Sequence, residues 1–323
     1  MTASLASGWL DRRLLFFTGK GGVGKSTVAA ATAVHAAEHG KRVLLVEVDD
    51  KGNAAALFEH APVGFDPVEV HPGVHAMQMR TEASLREYLK VNLRVPVFGR
   101  LGPIAHMLEF VANAAPGVKE ILTIGKICWE VRESIEGRAD WDLVVVDAAA
   151  TGHVVAQLDS PRAIRELVQV GPVRTQTEWM MELLADPSIT ALNVVTTPEE
   201  MPINETIELV TTVRDELQVP LGVIVVNRVL PEPLTRTDAP VFAALRTAVG
   251  TDALREAVGE GAEAVLDATG LAIALRRSRA VHLTRLREEL DLPTINLPYL
   301  FVRDHGLRVT RMVADALAAG VGS

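Results

Sequence analysis

Short, continuous apolar runs alternate along the chain with longer stretches whose apolar residues have helical spacing. Such runs, rich in β-branched residues, are typical of strands buried on both faces, and their alternation with helices predicts a mostly parallel sheet covered by helices. The predicted strands are residues 14–18, 43–48, 143–147, 192–196, 222–227 and 294–297, and a weaker alternating pattern adds 74–79. The pattern therefore predicts an α/β fold with a central sheet.

Two segments interrupt this alternation and are predicted to be helical insertions, at about residues 81–138 and 174–186. In the first, Leu85, Leu89 and Leu93 recur at helical spacing. Residues 241–290 are rich in charge and alanine and predict two or more amphipathic helices. Because the sequence contains no internal repeat and no low-complexity linker, residues 1–323 are expected to form one domain that carries these insertions.

Composition excludes several classes of protein. The 41 acidic residues outnumber the 32 basic ones, and the resulting net charge of −9 disfavours a general nucleic-acid binder. Cys128 is the only cysteine, which excludes an intrachain disulfide and any site built from two thiolates of one chain. The most apolar stretch, residues 28–37, is shorter than the roughly 18 residues of a membrane span. The start of the chain lacks the charge order of a secretory signal, so a cytoplasmic protein is expected.

The strongest chemical signal is the segment Gly19 to Ser26, GKGGVGKS, which matches the P-loop pattern between a predicted strand and a predicted helix. Glycines let the backbone curl so that several N–H groups converge on a phosphate at the positive end of the helix. Lys25 is expected to reach the β- and γ-phosphates of ATP, and the Ser26 hydroxyl to bind Mg²⁺. The predicted nucleotide contacts are Gly19, Gly21, Gly22, Val23, Gly24, Lys25, Ser26 and Thr27.

Two carboxylates follow predicted strands near this loop. Asp147 ends the run LVVVD, where a carboxylate can hold the magnesium shell through water; the alternative is an aspartate that caps a helix. Asp49 follows the strand after the P-loop and can approach the γ-phosphate; the alternative is a ribose-binding or capping acid. The sequence thus predicts a magnesium site formed by Ser26 and Asp147, with Asp49 as a catalytic candidate.

Lys20 is not required by the basic P-loop pattern, and with it the motif resembles the deviant P-loop class, K-G-G-x-G-K-[ST]. That class includes partition and division-site ATPases, nitrogenase iron proteins, and the arsenite-pump and tail-anchored-protein targeting ATPases. The segment from Asp147 to His153, DAAATGH, resembles the D-x-A-P-T-G-H switch of the last group, with Ala150 in place of proline. The resemblance implies an ATP-dependent dimer in which Lys20 reaches the partner's nucleotide; the alternative is a solvated loop lysine.

The same resemblance implies roles for further residues. Asp49 and Asn53 match the ends of the family's D-P-A-H-N segment, in which the aspartate orients the attacking water, whereas residues 50–52 depart from it. Asn227 resembles the asparagine that hydrogen-bonds the adenine edge, and Pro298 begins a segment similar to the loop that flanks the base. The segments TPE at 197–199 and Glu205-Thr206 resemble the family's T-x-P-E and E-T.

The lone cysteine narrows the cargo that this resemblance allows, because arsenite, iron–sulfur and zinc sites of the class each need two or more cysteines. The targeting factors bind a hydrophobic helix in a groove formed by the helical insertions, and methionines suit such grooves. Candidate groove residues are Met107, Trp179, Met180 and Met181. The alternative is that these side chains pack in the interior or at a dimer interface.

The resemblance therefore implies a magnesium-dependent ATPase that works as a homodimer or as a heterodimer with a paralogue, with a hydrophobic helical client. Neither nucleic acid nor stable membrane insertion is expected. Two alternatives stay open. The altered segments DDKGN and DAAATGH motivate a nucleotide-binding subunit with weak hydrolysis in a heterodimer. A partition or positioning ATPase is disfavoured by the acidic balance and by a C-terminal segment with only two arginines.

Overall fold

The computed structural model describes residues 8–48, 53–93, 117–137, 141–302 and 306–321. Within these ranges, strands β1 to β8 form one sheet in the order β3-β4-β2-β5-β1-β6-β7-β8. Neighbouring strands are parallel except for β3 and β4. The strands are β1 Leu14–Thr18, β2 Val43–Glu47, β3 Val68–His71, β4 Val74–Gln78, β5 Leu143–Asp147, β6 Thr190–Thr196, β7 Leu221–Val229 and β8 Thr294–Pro298. The prediction of a mostly parallel α/β sheet is confirmed.

Helices connect most of these strands, and a short 3₁₀ turn, Trp9–Asp11, precedes β1. The helices of the described residues are α1 Lys25–Glu38, α2 Asn53–Ala56, α3 Thr81–Leu93, α4 Val118–Ile135, α5 Thr151–Leu167, α6 Pro172–Ala185, α7 Glu200–Glu216, α8 Asp238–Leu245, α9 Ala248–Val258, α10 Ala262–Glu289 and α11 Leu307–Val321. Helices α3 and α4 fall within the first predicted insertion, and α6 overlaps the second but begins two residues earlier. Helices α8 to α10 account for the charged, alanine-rich region.

The sheet separates two hydrophobic cores because successive side chains of a strand point to opposite faces. Leu14 and Phe16 of β1 pack in one core, with α4 to α7. Leu15 and Phe17 pack in the other, with α1 and α11. Helix α1 is rich in alanine, and the small side chains let it lie close to the sheet directly after β1. This packing fixes the strand-to-helix connection at the carboxyl end of β1.

The antiparallel edge strand β3 was not predicted. It pairs with β4 across a short turn in which Gly73 has φ of +78°, a conformation that favours glycine. Since β3 is mostly exposed, its sequence has no continuous apolar run, and a pattern search for buried strands passes over it. Strand β7 also extends beyond the predicted 222–227, because its last residues are less buried than its centre. Among the described residues, no helix combines the length and apolar character that crossing a bilayer requires.

Candidate nucleotide-binding site

The segment between β1 and α1 is shaped by its glycines. Gly19, Gly22 and Gly24 have φ angles of +148°, +86° and +99°, which residues other than glycine rarely adopt. A Cβ atom on Gly19 would lie 2.0 Å from the carbonyl oxygen of Val195 in β6. Val23 is buried in the core and anchors the middle of the loop. The close approach of Gly19 to β6 and the burial of Val23 therefore hold the loop against the sheet.

The other side of the loop faces open space. A Cβ atom built on Gly21 or Gly22 would meet no atom within 4 Å. The first intrahelical hydrogen bond of α1 runs from Val28 N to Gly24 O at 3.0 Å, so the N–H groups of the first turn have no acceptor inside the helix. These donors belong to Lys25, Ser26 and Thr27. Together with the positive end of the helix dipole, they form a site suited to a phosphate group.

Asp147 reaches the base of this loop through the register of the sheet. It is paired with Phe17, the residue before Thr18 at the end of β1, and the residue is only 7% exposed. The segment that follows is tied to β1 by two hydrogen bonds, Ala148 N to Phe17 O at 2.9 Å and Thr18 Oγ1 to Ala149 O at 2.8 Å. The carboxylate is therefore fixed at the carboxyl end of the strand beside the P-loop.

A second buried carboxylate, Glu47, was missed by sequence reasoning. Glu47 is the register partner of Asp147 on β2, is 2% exposed, and accepts a hydrogen bond from Ala54 N at 3.4 Å. Register partners on parallel strands point to the same face, so both carboxylates lie on the α1 side of the sheet. The sequence did indicate this residue, because Glu47 lies inside the apolar run VLLVEV. Burying a carboxylate in such a strand is unfavourable unless it is hydrogen-bonded or paired.

Asp49, the catalytic candidate, lies outside the described residues, and its role stays a prediction. Asn53, its partner in the matched segment, begins α2 on the far side of that gap.

Lys20 forms an ion pair with Glu205 of α7, and the two side chains are 32% and 28% exposed. The other carboxylate oxygen of Glu205 accepts a hydrogen bond from Thr151 Oγ1 at 3.2 Å. Thr151 is the first residue of α5 and belongs to the segment that follows Asp147. Glu205 thus joins the P-loop to the start of α5, a contact between residues 185 positions apart that sequence motifs did not reveal.

Asn227 and Pro298 lie near the ends of the neighbouring strands β7 and β8, where Pro298 pairs with Val229. The side-chain nitrogen of Asn227 donates to Val23 O at 2.9 Å, and its Oδ1 accepts from Arg228 N at 2.9 Å. An asparagine amide has two N–H donors and an oxygen with two lone pairs, so each end keeps one further position for a ligand. Beyond Pro298, Tyr299 and the largely exposed Phe301 form a ring pair with centroids 4.8 Å apart.

The donor chemistry of the loop region fits Mg²⁺. Ser26 contributes a hydroxyl oxygen and Asp147 a carboxylate oxygen, which are the hard ligands that this ion prefers, with phosphate and water completing its shell. Ser26 is half-buried at the start of α1, on the side of the sheet to which Asp147 points.

Sequence comparison agrees with this arrangement. A profile of the anion-transporting ATPases matches residues 12–172 and 167–254, which include the loop, Asp147 and Asn227. The chain belongs to the anion-transporting ATPase family. The resemblance to arsenite-pump ATPases is confirmed at the level of this family.

Members of the anion-transporting ATPase family that resemble the chain include ATPase BagA of Mycobacterium tuberculosis, 35% identical over 241 residues, covering 72% of this chain and 70% of that protein. The arsenical pump-driving ATPase of Acidiphilium multivorum is 32% identical over 248 residues, covering 70% of this chain but 41% of that protein. An arsenical pump-driving ATPase of Escherichia coli is 30% identical over 248 residues, covering 70% of this chain and 41% of that protein. The chain therefore matches less than half the length of each of these two pump-driving relatives.

The three candidate groove residues that the structure describes do not share one surface. Trp179 and Met180 line a cavity between helices, and Met180 is buried in the core. Met181 lines a different cavity and contacts Arg165. Met107 lies outside the described residues. Cys128 is fully buried, and burial raises the pKa of its thiol far above the usual range, so it is not a reactive thiolate.

Proposed function

We propose that this member of the anion-transporting ATPase family hydrolyses ATP in a magnesium-dependent reaction and uses the cycle to open and close a dimer. The observation that carries the proposal is the loop from Gly19 to Thr27. Gly21 and Gly22 face open space beside the positive end of α1, and the buried carboxylate of Asp147 lies on the adjoining strand. Phosphoryl transfer requires such groups, because its catalysis consists mostly of positioning the reactants and stabilising the charge on the transferred phosphoryl group.

Each side chain has a distinct task in this proposal. The Lys25 ammonium binds the β- and γ-phosphates, and the loop N–H groups hold the same oxygens. Ser26 binds Mg²⁺ directly and Asp147 through water; the ion neutralises charge on the phosphate oxygens when it is bound. Asp49 orients the attacking water. Asn227 and Pro298 contact the adenine, for which Asn227 uses the donor and acceptor positions that Val23 and Arg228 leave open.

The proposed dimer assigns a role to the Lys20–Glu205 ion pair. If Lys20 reaches the partner's nucleotide, it must first leave Glu205, which then keeps only its hydrogen bond from Thr151 at the start of α5. Glu205 therefore holds Lys20 within its own chain in the absence of a partner, and it links this ion pair to the segment after Asp147. The partner is a second copy or a paralogue.

We place this protein in the cytoplasm as a single domain with helical insertions, acting on a hydrophobic helical client and on neither DNA nor lipid. The names of two relatives describe ATPases that drive an arsenical pump. Arsenite binding by thiolates has no support in this chain, because its single cysteine is buried.

A second candidate function is a nucleotide-binding subunit with weak hydrolysis that completes a heterodimer. It is favoured by Ala150, which stands where the resembled switch has proline. Mass measurement of the purified chain with and without ATP, alongside phosphate release, separates the two. The ATPase proposal predicts an ATP-dependent doubling of mass together with turnover, whereas the second candidate predicts ATP binding with negligible release. Association with DNA or vesicles on adding ATP would instead support a partition or positioning ATPase.

A further inference from the structure

Helix α10 leaves one side of its first half uncovered. Of its side chains, all of which the structure describes, only Ala262, Leu266 and Leu286 are buried. Uncharged, exposed residues recur along one side of the helix, and we call this row the α10 seam: Ala264, Ala268, Leu271, Leu275 and Ser278. We propose that the α10 seam pairs in antiparallel direction with the α10 seam of a second copy of this chain. The inference rests on the proposed ATP-dependent dimer and assigns part of its interface.

The spacing of the α10 seam is that of a two-stranded coiled coil. Its members are four, three, four and three residues apart, the alternation by which the a and d positions of a heptad form one stripe. Leu271 and Leu275 at its centre are 62% and 44% exposed, and apolar surface of this kind gains from being covered. The alanines and the serine on either side are small, so a second helix can approach closely.

The neighbouring helices of the same chain are tied to α10 but leave the seam open. Arg255 of α9 lies 2.9 Å from Glu263, at the start of α10. Helix α9 packs so closely on α8 that a Cβ atom on Gly250 would lie 2.2 Å from Ala244 O. Neither α8 nor α9, both fully described, contains a buried side chain. The three helices therefore form an ordered unit with more apolar surface than its own chain covers.

Charge indicates a second copy as the partner and sets the direction of pairing. Residues 238–267 contain six acidic and two basic residues, whereas residues 268–289 contain five arginines and two glutamates. Two of these arginines also pair with Glu232 and Glu199, which still leaves an excess of one positive charge in the second region. Antiparallel pairing places the acidic region of each copy beside the basic region of the other, whereas parallel pairing places like charges together. An apolar client would leave both regions unmatched.

The middle of α10 lies at the edge of the sheet where the P-loop is found. Arg279 lies 3.3 Å from Glu199, which directly precedes α7, and Arg276 donates to the carbonyl oxygen of Leu230, the residue after β7. Strands β1, β6 and β7 are parallel neighbours, so their carboxyl ends share this edge. A single two-fold contact between copies is therefore placed to cover both the P-loop and the α10 seam.

The α10 seam is too short to hold two copies together without ATP. From Ala264 to Ser278 it spans about 21 Å at about 1.5 Å per residue. This is roughly two heptads, fewer than the three to four that an independent coiled coil sustains. The chain without ATP is therefore expected to keep the mass of one copy, and the seam adds to the affinity of the ATP-dependent dimer.

Cysteine cross-linking tests the pairing and its direction. If Leu271 packs on the partner's Leu275, the antiparallel register places Ala268 beside the partner's Ser278. The natural Cys128 is fully buried, so introduced cysteines provide the accessible thiols. A mixture of Ala268→Cys chains with Ser278→Cys chains is expected to form a disulfide-linked dimer on mild oxidation with ATP and Mg²⁺, because the paired positions come within disulfide distance. Each variant alone is expected to form none.

A charge introduced into the seam tests its contribution to affinity. Leu271→Glu is expected to raise the chain concentration needed for the ATP-dependent dimer at least about tenfold, because a carboxylate replaces an apolar contact in both copies. Leu167→Glu is the matched control, since Leu167 is 78% exposed on α5, away from the seam. Sedimentation against chain concentration measures the dimer, and equilibrium ATP binding by the single chain is expected to be unchanged in both variants.

The outcomes separate this inference from the proposed function. A wild-type chain whose mass does not double with ATP would overturn the proposed dimer and the seam together. A wild-type chain that doubles its mass, with no linkage in the cysteine mixture or an unchanged dimer in Leu271→Glu, would overturn the seam alone. Linkage in Ala268→Cys and Ser278→Cys separately, but not in their mixture, would show parallel pairing and contradict the charge argument. If Leu271→Glu fails to fold, the cross-linking result decides.

Discussion

At the scale of single residues, neighbouring glycines of the P-loop differ in how strictly they are required. Gly19 combines φ of +148° with a Cβ position 2.0 Å from Val195 O, whereas Gly21 has open space around it. Gly19→Ala is therefore expected to lower the free energy of unfolding by about 1–3 kcal/mol and to abolish ATP binding. Gly21→Ala is the matched control and is expected to keep wild-type stability. Thermal unfolding that gives equal Tm values for the two variants would contradict this assignment.

The chemistry also depends on single side chains. Lys25→Ala is expected to reduce the rate of ATP hydrolysis by at least about 10²-fold, because a preorganised positive charge on the phosphates is lost. Asp49→Asn is expected to slow hydrolysis while sparing nucleotide binding, since the proposed role of Asp49 is to orient water. Phosphate release and equilibrium ATP binding check both variants. Hydrolysis at the wild-type rate in both would rule out the proposed mechanism.

At the scale of secondary-structure elements, α7 connects the P-loop with α5 through Glu205. Glu205→Gln removes the charge that holds Lys20 in its own chain. The variant is expected to form the ATP-dependent dimer at a concentration up to about fivefold lower, which is the range of a partly exposed ion pair. Glu208→Gln, on an exposed position of the same helix, is the control. Sedimentation against chain concentration measures the effect, and a weaker dimer in Glu205→Gln would reverse the proposed role.

The end of α1 is expected to make stability depend on pH. Burial lowers the pKa of His35, and nearby His39 lowers it further, while Glu38 and Asp315 offset part of the effect. The unfolded chain then binds a proton at a higher pH than the folded chain, so stability falls as pH drops below about 6.5. His35→Gln is expected to reduce the loss of Tm between pH 7 and pH 5, and His153→Gln at an exposed position is not. Identical pH profiles for wild type and His35→Gln would refute the assignment.

At the scale of the whole molecule, the sequence predicts what depends on local pattern. The central strands are apolar throughout because both of their faces are covered, and the P-loop is a contiguous motif whose glycines have local conformational causes. Strand β3 escaped prediction because it lies at an exposed edge. The partners of Glu205 come from the P-loop and α5, 185 and 54 positions away, so only the folded chain brings them together.

The same limit of sequence-based prediction applies to the candidate client residues on α6. Trp179, Met180 and Met181 are consecutive on α6, yet a helix turns by about 100° per residue, so three consecutive side chains do not all face one surface. Met181 lines a separate cavity from the other two. A cluster in the sequence was therefore not a single surface in the fold.

The proposed function requires that this chain hydrolyse ATP with its own P-loop. The most direct measurement is phosphate release by the purified chain with ATP and Mg²⁺, compared with Lys25→Ala prepared in the same way. Phosphate release by the wild-type chain is expected to depend on magnesium and to be lost in the variant. Release that is absent from the wild-type chain, or equal in the two proteins, would contradict the proposed ATPase.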